Sequence, residues 1–305
     1  MSGSGSSVTV GSFDGVHRGH HAVLEEIARR AHAAGRTSTL VTFTPHPLEV
    51  VNPAAAPPLL TVGPERLEIL AQTAVDRVIV LRFDRQIAEM SPREFVQRIL
   101  LERCEMRELV IGYDHGFGRG RSGDVSTLRQ LGTELGFEVD VVEAIAGHAG
   151  PVSSSGIRRA IAGGDLGAGA LLLGRPYTVS GRVTQGAQRG RQIGYPTINV
   201  TDVPMQKLLP PDGVYAVRVE WRHGRSGGML NQGPRPTFDD GRRSLEAHLF
   251  GFTGDLYGEW VRIEWVERIR EVRRFGSVDE LKAQLARDAA QAQAILARPA
   301  VAPAA

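Results

Sequence analysis

Lysine is almost absent from this sequence. Of the 36 basic residues only Lys207 and Lys282 are lysines, and no lysine precedes position 207. A P-loop needs glycine, lysine and a hydroxyl residue in succession; no such string exists, so any phosphate cradle must be of another design. Cys104 is the single cysteine, which excludes an internal disulfide and fits a reducing, cytoplasmic compartment. A formal net charge of +2 is too small to argue for a nucleic-acid partner or a membrane surface. There is no signal-peptide pattern and no apolar run of about 18 residues. What remains is an ordinary globular composition, 42% hydrophobic and 23% charged, over a length that suggests two domains. Met1 to Ser7 is rich in glycine and serine and reads as a disordered leader.

The most informative stretch runs from Val8 to His20. Val8 and Val10 supply a short strand, Gly11 and Gly15 a tight turn, and His17 and His20 stand three apart at a helix start, on one face. A helix N-terminus offers free N–H groups and partial positive charge to an anion. Two imidazoles beside those donors suit a nucleoside triphosphate; the alternative is a plain βα turn with two exposed histidines.

Leu24, Ile27, Ala28 and Ala31 continue at helical spacing to Gly35. Ser38 to Phe43 reads as a strand ending in Thr44-Pro45-His46-Pro47, a ligand-side loop if the sheet is open and parallel. A helix over Pro64 to Val75, a strand over Arg77 to Phe83, and a capping box at Ser91 and Glu94 opening a helix to about Arg103 follow. Next come a strand to Gly112, a glycine- and arginine-rich loop, a helix over Val125 to Leu135, and a strand over Phe137 to Glu143. Strands and helices alternate throughout, which predicts an α/β domain with a parallel sheet and helices on both faces. Ser153 and Ser154 open another helix carrying Arg158, and a further helical stretch ends at Gly174.

Composition changes there, and the boundary is placed between residues 174 and 175. Short β-branched and aromatic runs, at Tyr177 to Thr184, Val214 to Trp221, Gly228 to Asn231, Leu245 to Phe252 and Trp260 to Val266, predict an antiparallel β-barrel. A capping box at Ser277 and Glu280 opens a long C-terminal helix to about Leu296. Between the first strands, Gly186 and Gly190 can bring backbone N–H groups to phosphates. Thr197 and Asn199, two apart on an extended chain, point to one side, where a hydroxyl and an amide oxygen suit Mg²⁺ and a phosphate; an ordinary polar hairpin is the alternative. Leu245, Ala247 and Leu249 share one face of their strand, so Glu246 and His248 take the other. A glutamate on the inner side of a small barrel needs a reason, and proton abstraction from a hydroxyl is one.

The string Gly11-Ser12-Phe13-Asp14-Gly15-Val16-His17-Arg18-Gly19-His20 resembles the adenylyltransferase half of bacterial bifunctional riboflavin kinase/FMN adenylyltransferases (FAD synthetases). Its core, His17-x-Gly19-His20, resembles the H-x-G-H signature of nucleotidyltransferases related to class I tRNA synthetases. The string from Gly190-Arg191 through Gly194-Tyr195-Pro196-Thr197-Ile198-Asn199 is similar to the riboflavin kinase motif, and Asn231-x-Gly233, Leu245 to Leu249, Leu256-Tyr257-Gly258 and Ile269-Arg270 agree. The resemblance covers nearly the whole chain. It implies a Rossmann-like nucleotidyltransferase domain followed by a barrel-type riboflavin kinase domain.

The resemblance also implies roles. His17, His20 and Arg158 would serve adenylyl transfer, and Glu246 would be the base of phosphorylation. ATP and its phosphates would be met by Gly11, Phe13, Gly19, His46, Asp114, Arg121, Ser153 and Ser154 in the first domain, and by Gly186, Gly190, Arg191, Pro196, Thr197 and Asn199 in the second. Phe117, Asn231 and Arg270 would meet flavin, and Thr197 and Asn199 would hold Mg²⁺. The implied substrates and products are riboflavin, FMN, FAD and ATP, with no nucleic acid or membrane partner. The chain departs from the family pattern at His115, Gly116, Gly156, Ala187 and Gln232. Two rivals are another adenylyl or cytidylyl transferase with a fused barrel, and a flavin- or nucleotide-binding regulator without turnover.

Overall fold

The computed structural model describes residues 5–112, 123–142, 146–147, 150–186, 189–234 and 243–299. Contacts divide the chain into two units, Met1–Ser154 and Ser155–Ala305. The division falls at the start of a helix, earlier in the chain than the change of composition after Gly174.

In the first unit, β1 (Ser6–Val10) leads into α1 (Arg18–Ala33), β2 (Thr37–Thr44), α2 (Pro47–Val51), α3 (Gly63–Leu70) and β3 (Arg77–Arg82). Then come α4 (Arg85–Glu89), α5 (Pro92–Phe95), β4 (Met106–Gly112), α6 (Val125–Leu135), β5 (Glu138–Val142), and the two-residue strands β6 (Ala146–Gly147) and β7 (Gly150–Pro151). Five parallel strands form one sheet in the order β3-β2-β1-β4-β5. Successive side chains of a strand face opposite ways. Val8, Val10, Val41, Phe43 and Ile111 pack with Phe95, Ile99 and Leu128 in one core, while Leu40 packs with Leu24 and Leu70 in another. Both faces of the sheet are therefore covered by helices, as the alternation predicts.

The expectation of a disordered stretch from Met1 to Ser7 is corrected at Ser6 and Ser7. Ser6 and Ser7 belong to β1 and are buried, the Ser6 hydroxyl donating to the Cys104 carbonyl and the Ser7 hydroxyl to the Glu108 carboxylate. Polar residues are tolerated inside a sheet when each group has a partner. The helix from Ser91 keeps its capping box but passes from α5 into a π-helical turn over Val96–Leu101.

The chain order reverses at the middle of the sheet. It moves outward from β1 to β3 and returns on the other side at β4. The crevice at the carboxyl ends of β1 and β4 is the switch point where open α/β sheets bind ligands. Gly11 to His20 leaves β1 at that end.

The second unit opens with α7 (Ser154–Ala162) and α8 (Leu166–Leu173), followed by β8 (Thr178–Thr184), α9 (Arg189–Gln192), β9 (Ile198–Thr201), β10 (Gly213–Trp221), β11 (Gly224–Pro234), β12 (Arg243–Leu249), β13 (Trp260–Arg270) and α10 (Val278–Leu296). The six strands close an antiparallel barrel in the order β10-β11-β12-β9-β8-β13. Val179, Val200, Tyr215, Val217, Leu230, Leu245, Ala247 and Ile263 are buried along its strands. A barrel this small is filled by its own side chains.

Helix α10 lies on the outside, where Ala292 and Ile295 pack against Ala216 and Met229. One ion pair holds it there. Asp288, 1% exposed, accepts from Nε and Nη2 of Arg270 at 3.0 and 2.7 Å, and from Gln284 at 2.7 Å. Removing one partner of a buried pair leaves the other charge unpaired, so Asp288→Ala should lower the stability of this unit by about 3 kcal/mol. Denaturant unfolding followed by tryptophan fluorescence checks this; a midpoint equal to the parent's would show that the pair does not hold the helix.

Candidate active site

The turn after β1 is strained. Phe13, Gly15 and Val16 have φ of 47°, 84° and 38°. For a β-branched residue such as Val16 a positive φ is a genuine outlier, which persists only if surrounding contacts enforce it. Asp14 supplies those contacts. Its carboxylate, in a residue 1% exposed, accepts from the backbone N–H of Leu60 and of Thr61 at 3.0 Å. The Thr61 hydroxyl accepts from Gly15 N–H at 3.0 Å, and the Ser154 hydroxyl donates to the Asp14 carbonyl at 2.9 Å. Arg66 donates to the Ser12 carbonyl at 3.0 Å and to the Phe43 carbonyl at 2.7 Å, joining the turn to the end of β2. Burial lowers the Arg66 pKa from its ordinary value.

The two histidines form a reciprocal cap. His17 is the N-cap of α1; its Nδ1 accepts from His20 N–H at 3.3 Å, and His20 Nδ1 accepts from His17 N–H at 3.4 Å. The rings stack with centroids 3.6 Å apart. A ring nitrogen that accepts carries no proton, so in the neutral rings the hydrogen sits on Nε2 in both. Two fixed Nε2–H donors result. Gly19 has no side chain because a Cβ would come within 3.2 Å of the His17 ring. A Cβ at Gly11 would come within 2.9 Å of the Phe13 ring. Phe13 is itself only 5% exposed and lies 4.6 Å from the His20 ring, so it backs the histidine from the core side. His46 caps α2 in the same manner, its Nδ1 accepting from Leu48 N–H at 3.2 Å. Ser153 is exposed, and Arg158 is half-buried on α7. Asp114, Phe117 and Arg121, with the departures His115 and Gly116, lie outside the described residues.

The barrel brings its candidates into one row. Glu246 on β12 is paired directly with Asn199 on β9 and with Asn231 on β11. Directly opposed residues of antiparallel strands share a face. The expectation that Glu246 points inward is corrected: Leu245, Ala247 and Leu249 are the buried set, and His248, on the Glu246 side, is paired with Met229, which packs under α10 outside the barrel. On β12 the inward positions are taken by apolar side chains, which leaves Glu246 and His248 on the outer face. The Ser244 hydroxyl donates to Glu246 at 2.8 Å. A side chain at Gly186 would overlap the Asn199 amide, and one at Gly190 would overlap the Tyr195 carbonyl, so these two approaches require glycine. Arg191 and Pro196 are exposed and Thr197 is half-buried just before β9. Ala187 lies outside the described residues. Arg270, expected at flavin, has Nε and Nη2 on Asp288 and Nη1 on the Glu271 carbonyl at 2.8 Å.

Family models match on both sides of the division, that of FAD synthetase over residues 1–156 and that of riboflavin kinase over residues 173–296. Bifunctional riboflavin kinase/FMN adenylyltransferases from Escherichia coli K12 and Pseudomonas fluorescens are 38% and 37% identical. The alignments cover 93% and 96% of this chain and 90% and 94% of those relatives. The chain belongs to the bifunctional riboflavin kinase/FMN adenylyltransferase family. A crystal structure named as a macrolide-efflux protein from Streptococcus pneumoniae has a TM-score of 0.83 at 32% identity, covering 93% of this chain and 92% of that one. Among the described residues, no helix here is long and apolar enough to cross a membrane.

Within this family frame, sequence reasoning missed Arg66 and the pairing of Asp14 with Leu60 and Thr61. Asp14 reaches Leu60 across 46 residues and Arg66 reaches Ser12 across 54, and no local spacing marks them. The proton placement on His17 and His20 is checked by ¹⁵N resonances of the imidazoles at neutral pH. Both should report a protonated Nε2 and a bare Nδ1; a protonated Nδ1 in either ring would contradict the reciprocal cap.

Proposed function

We propose that the chain makes FAD in two ATP-dependent steps, one in each half, with the boundary between residues 174 and 175. The observation that carries the reading is the pair of preorganised constellations: two histidines with fixed Nε2–H donors at a helix start, and a glutamate in register with Asn199 and Asn231. The riboflavin kinase half works on the outer face of the barrel. There Glu246 takes the proton of the riboflavin 5′-hydroxyl as its oxygen bonds to the γ-phosphorus of ATP and the bond to the departing ADP breaks. Gly186, Gly190 and Arg191 shape the phosphate side, and Asn231 lies beside the base for the flavin. Arg270 serves this half by holding α10.

Thr197 and Asn199 offer two neutral oxygens, and a side chain at Gly186 would intrude on the Asn199 amide. That donor set suits Mg²⁺, which takes few protein ligands when substrate phosphates supply others. Bound there, the ion would neutralise phosphate charge.

In the adenylyltransferase half, a phosphate oxygen of FMN bonds to the α-phosphorus of a second ATP and pyrophosphate leaves. The nucleophile is already an anion, so no base is needed. His17 and His20 donate Nε2–H bonds to oxygens that gain charge, and Arg158 supplies a cation; such donors act most strongly when fixed beforehand. Gly11 and Gly19 let the turn and the His17 ring close up, Phe13 backs His20, and His46, Ser153 and Ser154 serve ATP binding together with Asp114 and Arg121, while Phe117 meets the flavin. A cytoplasmic location accords with ATP and riboflavin as substrates and with a buried, unpaired Cys104.

Two substitutions separate the halves. His17→Asn keeps an N-cap acceptor but has no Nε2–H; FAD formation from FMN should fall about 100- to 1000-fold while riboflavin phosphorylation stays at the parent rate. Glu246→Gln should lower phosphorylation by about 100-fold or more and leave conversion of supplied FMN intact. Chromatography of the flavins reads both. Loss of both activities in either variant, or of neither, would contradict the division of labour.

A further inference from the structure

Strand β12 carries a second polar group on the face of Glu246. His248 stands two residues on, about 7 Å along the strand. Its Nδ1 lies 2.8 Å from the Pro196 carbonyl oxygen. A carbonyl can only accept, so the ring donates and the hydrogen is on Nδ1. The ring is held between two aromatic neighbours, Tyr195 at 5.2 Å and Phe250 at 5.8 Å, both edge-on. Tyr195 and Phe250 in turn pack against the cluster of Ala216, Met229, Ala292 and Ile295 under α10.

The Pro196 oxygen belongs to the peptide unit that contains the Thr197 nitrogen. Asn199 is fixed by its ladder pairing with Glu246, but the pairing of β9 with β12 reaches only Ile198. Thr197 lies beyond it. The preceding backbone is closed on itself by Tyr195 N–H to the Gly190 carbonyl at 2.8 Å, and proline has no N–H to offer. The His248 bond therefore ties the peptide plane before Thr197 to the strand that carries the base.

We propose that His248 is a positioning residue for phosphoryl transfer: its Nδ1–H holds the Pro196–Thr197 peptide so that the Thr197 hydroxyl keeps a fixed distance from Glu246. The inference rests on the reading of Glu246, Thr197 and Asn199 as the kinase site. It assigns His248 no contact with substrate. A misplacement of about 1 Å at such a group can cost 100-fold in rate, so the clamp has measurable leverage.

The test uses the full chain with His248→Phe and His248→Asn. Phenylalanine keeps the ring contacts without a donor; asparagine loses the ring but places an N–H near the position of Nδ1. Initial rates of riboflavin phosphorylation over a range of Mg-ATP give kcat and KM, and FAD formation from supplied FMN reports that the rest of the chain is folded. His248→Phe should lower kcat/KM for ATP about 10- to 100-fold, mainly through KM. His248→Asn should stay within about threefold of the parent, and in a Thr197→Ala background His248→Phe should cost less than about threefold, because coupled residues do not add. Parent-like kinetics for His248→Phe would overturn the proposal. So would equal damage from both variants, since packing and not the donor would then matter. If His248→Phe does not fold, the Asn variant decides alone: near-parent rates support the clamp, and a loss of kcat/KM overturns it. A parent chain that does not phosphorylate riboflavin would contradict the functional reading itself, and the proposal with it; an active parent with indifferent His248 variants contradicts only the clamp.

Discussion

The first unit depends on one buried carboxylate. Asp14 sits inside a turn whose neighbours have positive φ, and it is matched by N–H groups of Leu60 and Thr61 that arrive from far along the chain. A buried carboxylate without donors is costly, and hydrogen bonds to charged groups contribute more than neutral ones. The same contact satisfies the charge and fixes the backbone that leads into α1. Once the turn is set, His17 caps the helix, His20 stacks on it, and both rings are aimed by backbone N–H groups. Orientation here comes from main chain, the least adjustable part of the molecule.

The barrel reaches a comparable result by register. Glu246, Asn199 and Asn231 are neighbours because three strands pair at those positions. A one-residue slip of any of these strands would turn its member of the row to the apolar side. Helix α10 stabilises the register from outside, and Asp288 with Arg270 ties that helix to β13. In both halves a buried or half-buried polar pair sets geometry, and the groups proposed to meet substrate stand beside it.

Much of this was legible in the sequence, for reasons that particular residues explain. The alternation of strands and helices, the capped helix starts at Ser91 and Ser277, and the histidine string are local patterns, and local patterns survive into the fold. Strand β11 is longer than the expected run from Gly228 to Asn231. Ser226, Gly227 and Gly228 are poor strand formers, but a Cβ at Gly227 would meet Leu296 of α10 at 2.8 Å and one at Gly228 would meet the His248 carbonyl at 2.5 Å. Small residues there let helix and strand approach, a tertiary reason with no local signature. Ser6 and Ser7 misled in the same way, since composition does not announce the partners Cys104 and Glu108. Alternation placed Glu246 opposite its apolar neighbours but could not say which side was inside. The closed barrel decides that, because Leu245, Ala247 and Leu249 are the residues of this strand that it buries.

The central claim is that one chain carries out two chemically distinct phosphorus transfers, attack at the γ-phosphorus and then at the α-phosphorus. Isotope position tests it most directly. Riboflavin is incubated with the full chain, Mg²⁺ and ATP labelled either at the γ-phosphorus or at the α-phosphorus, and the label is located in the separated flavins. The account predicts γ-label in both FMN and FAD, and α-label in FAD alone, with unlabelled FMN in the second experiment. Label from the α-phosphorus in FMN, or FAD lacking the γ-label, would contradict it.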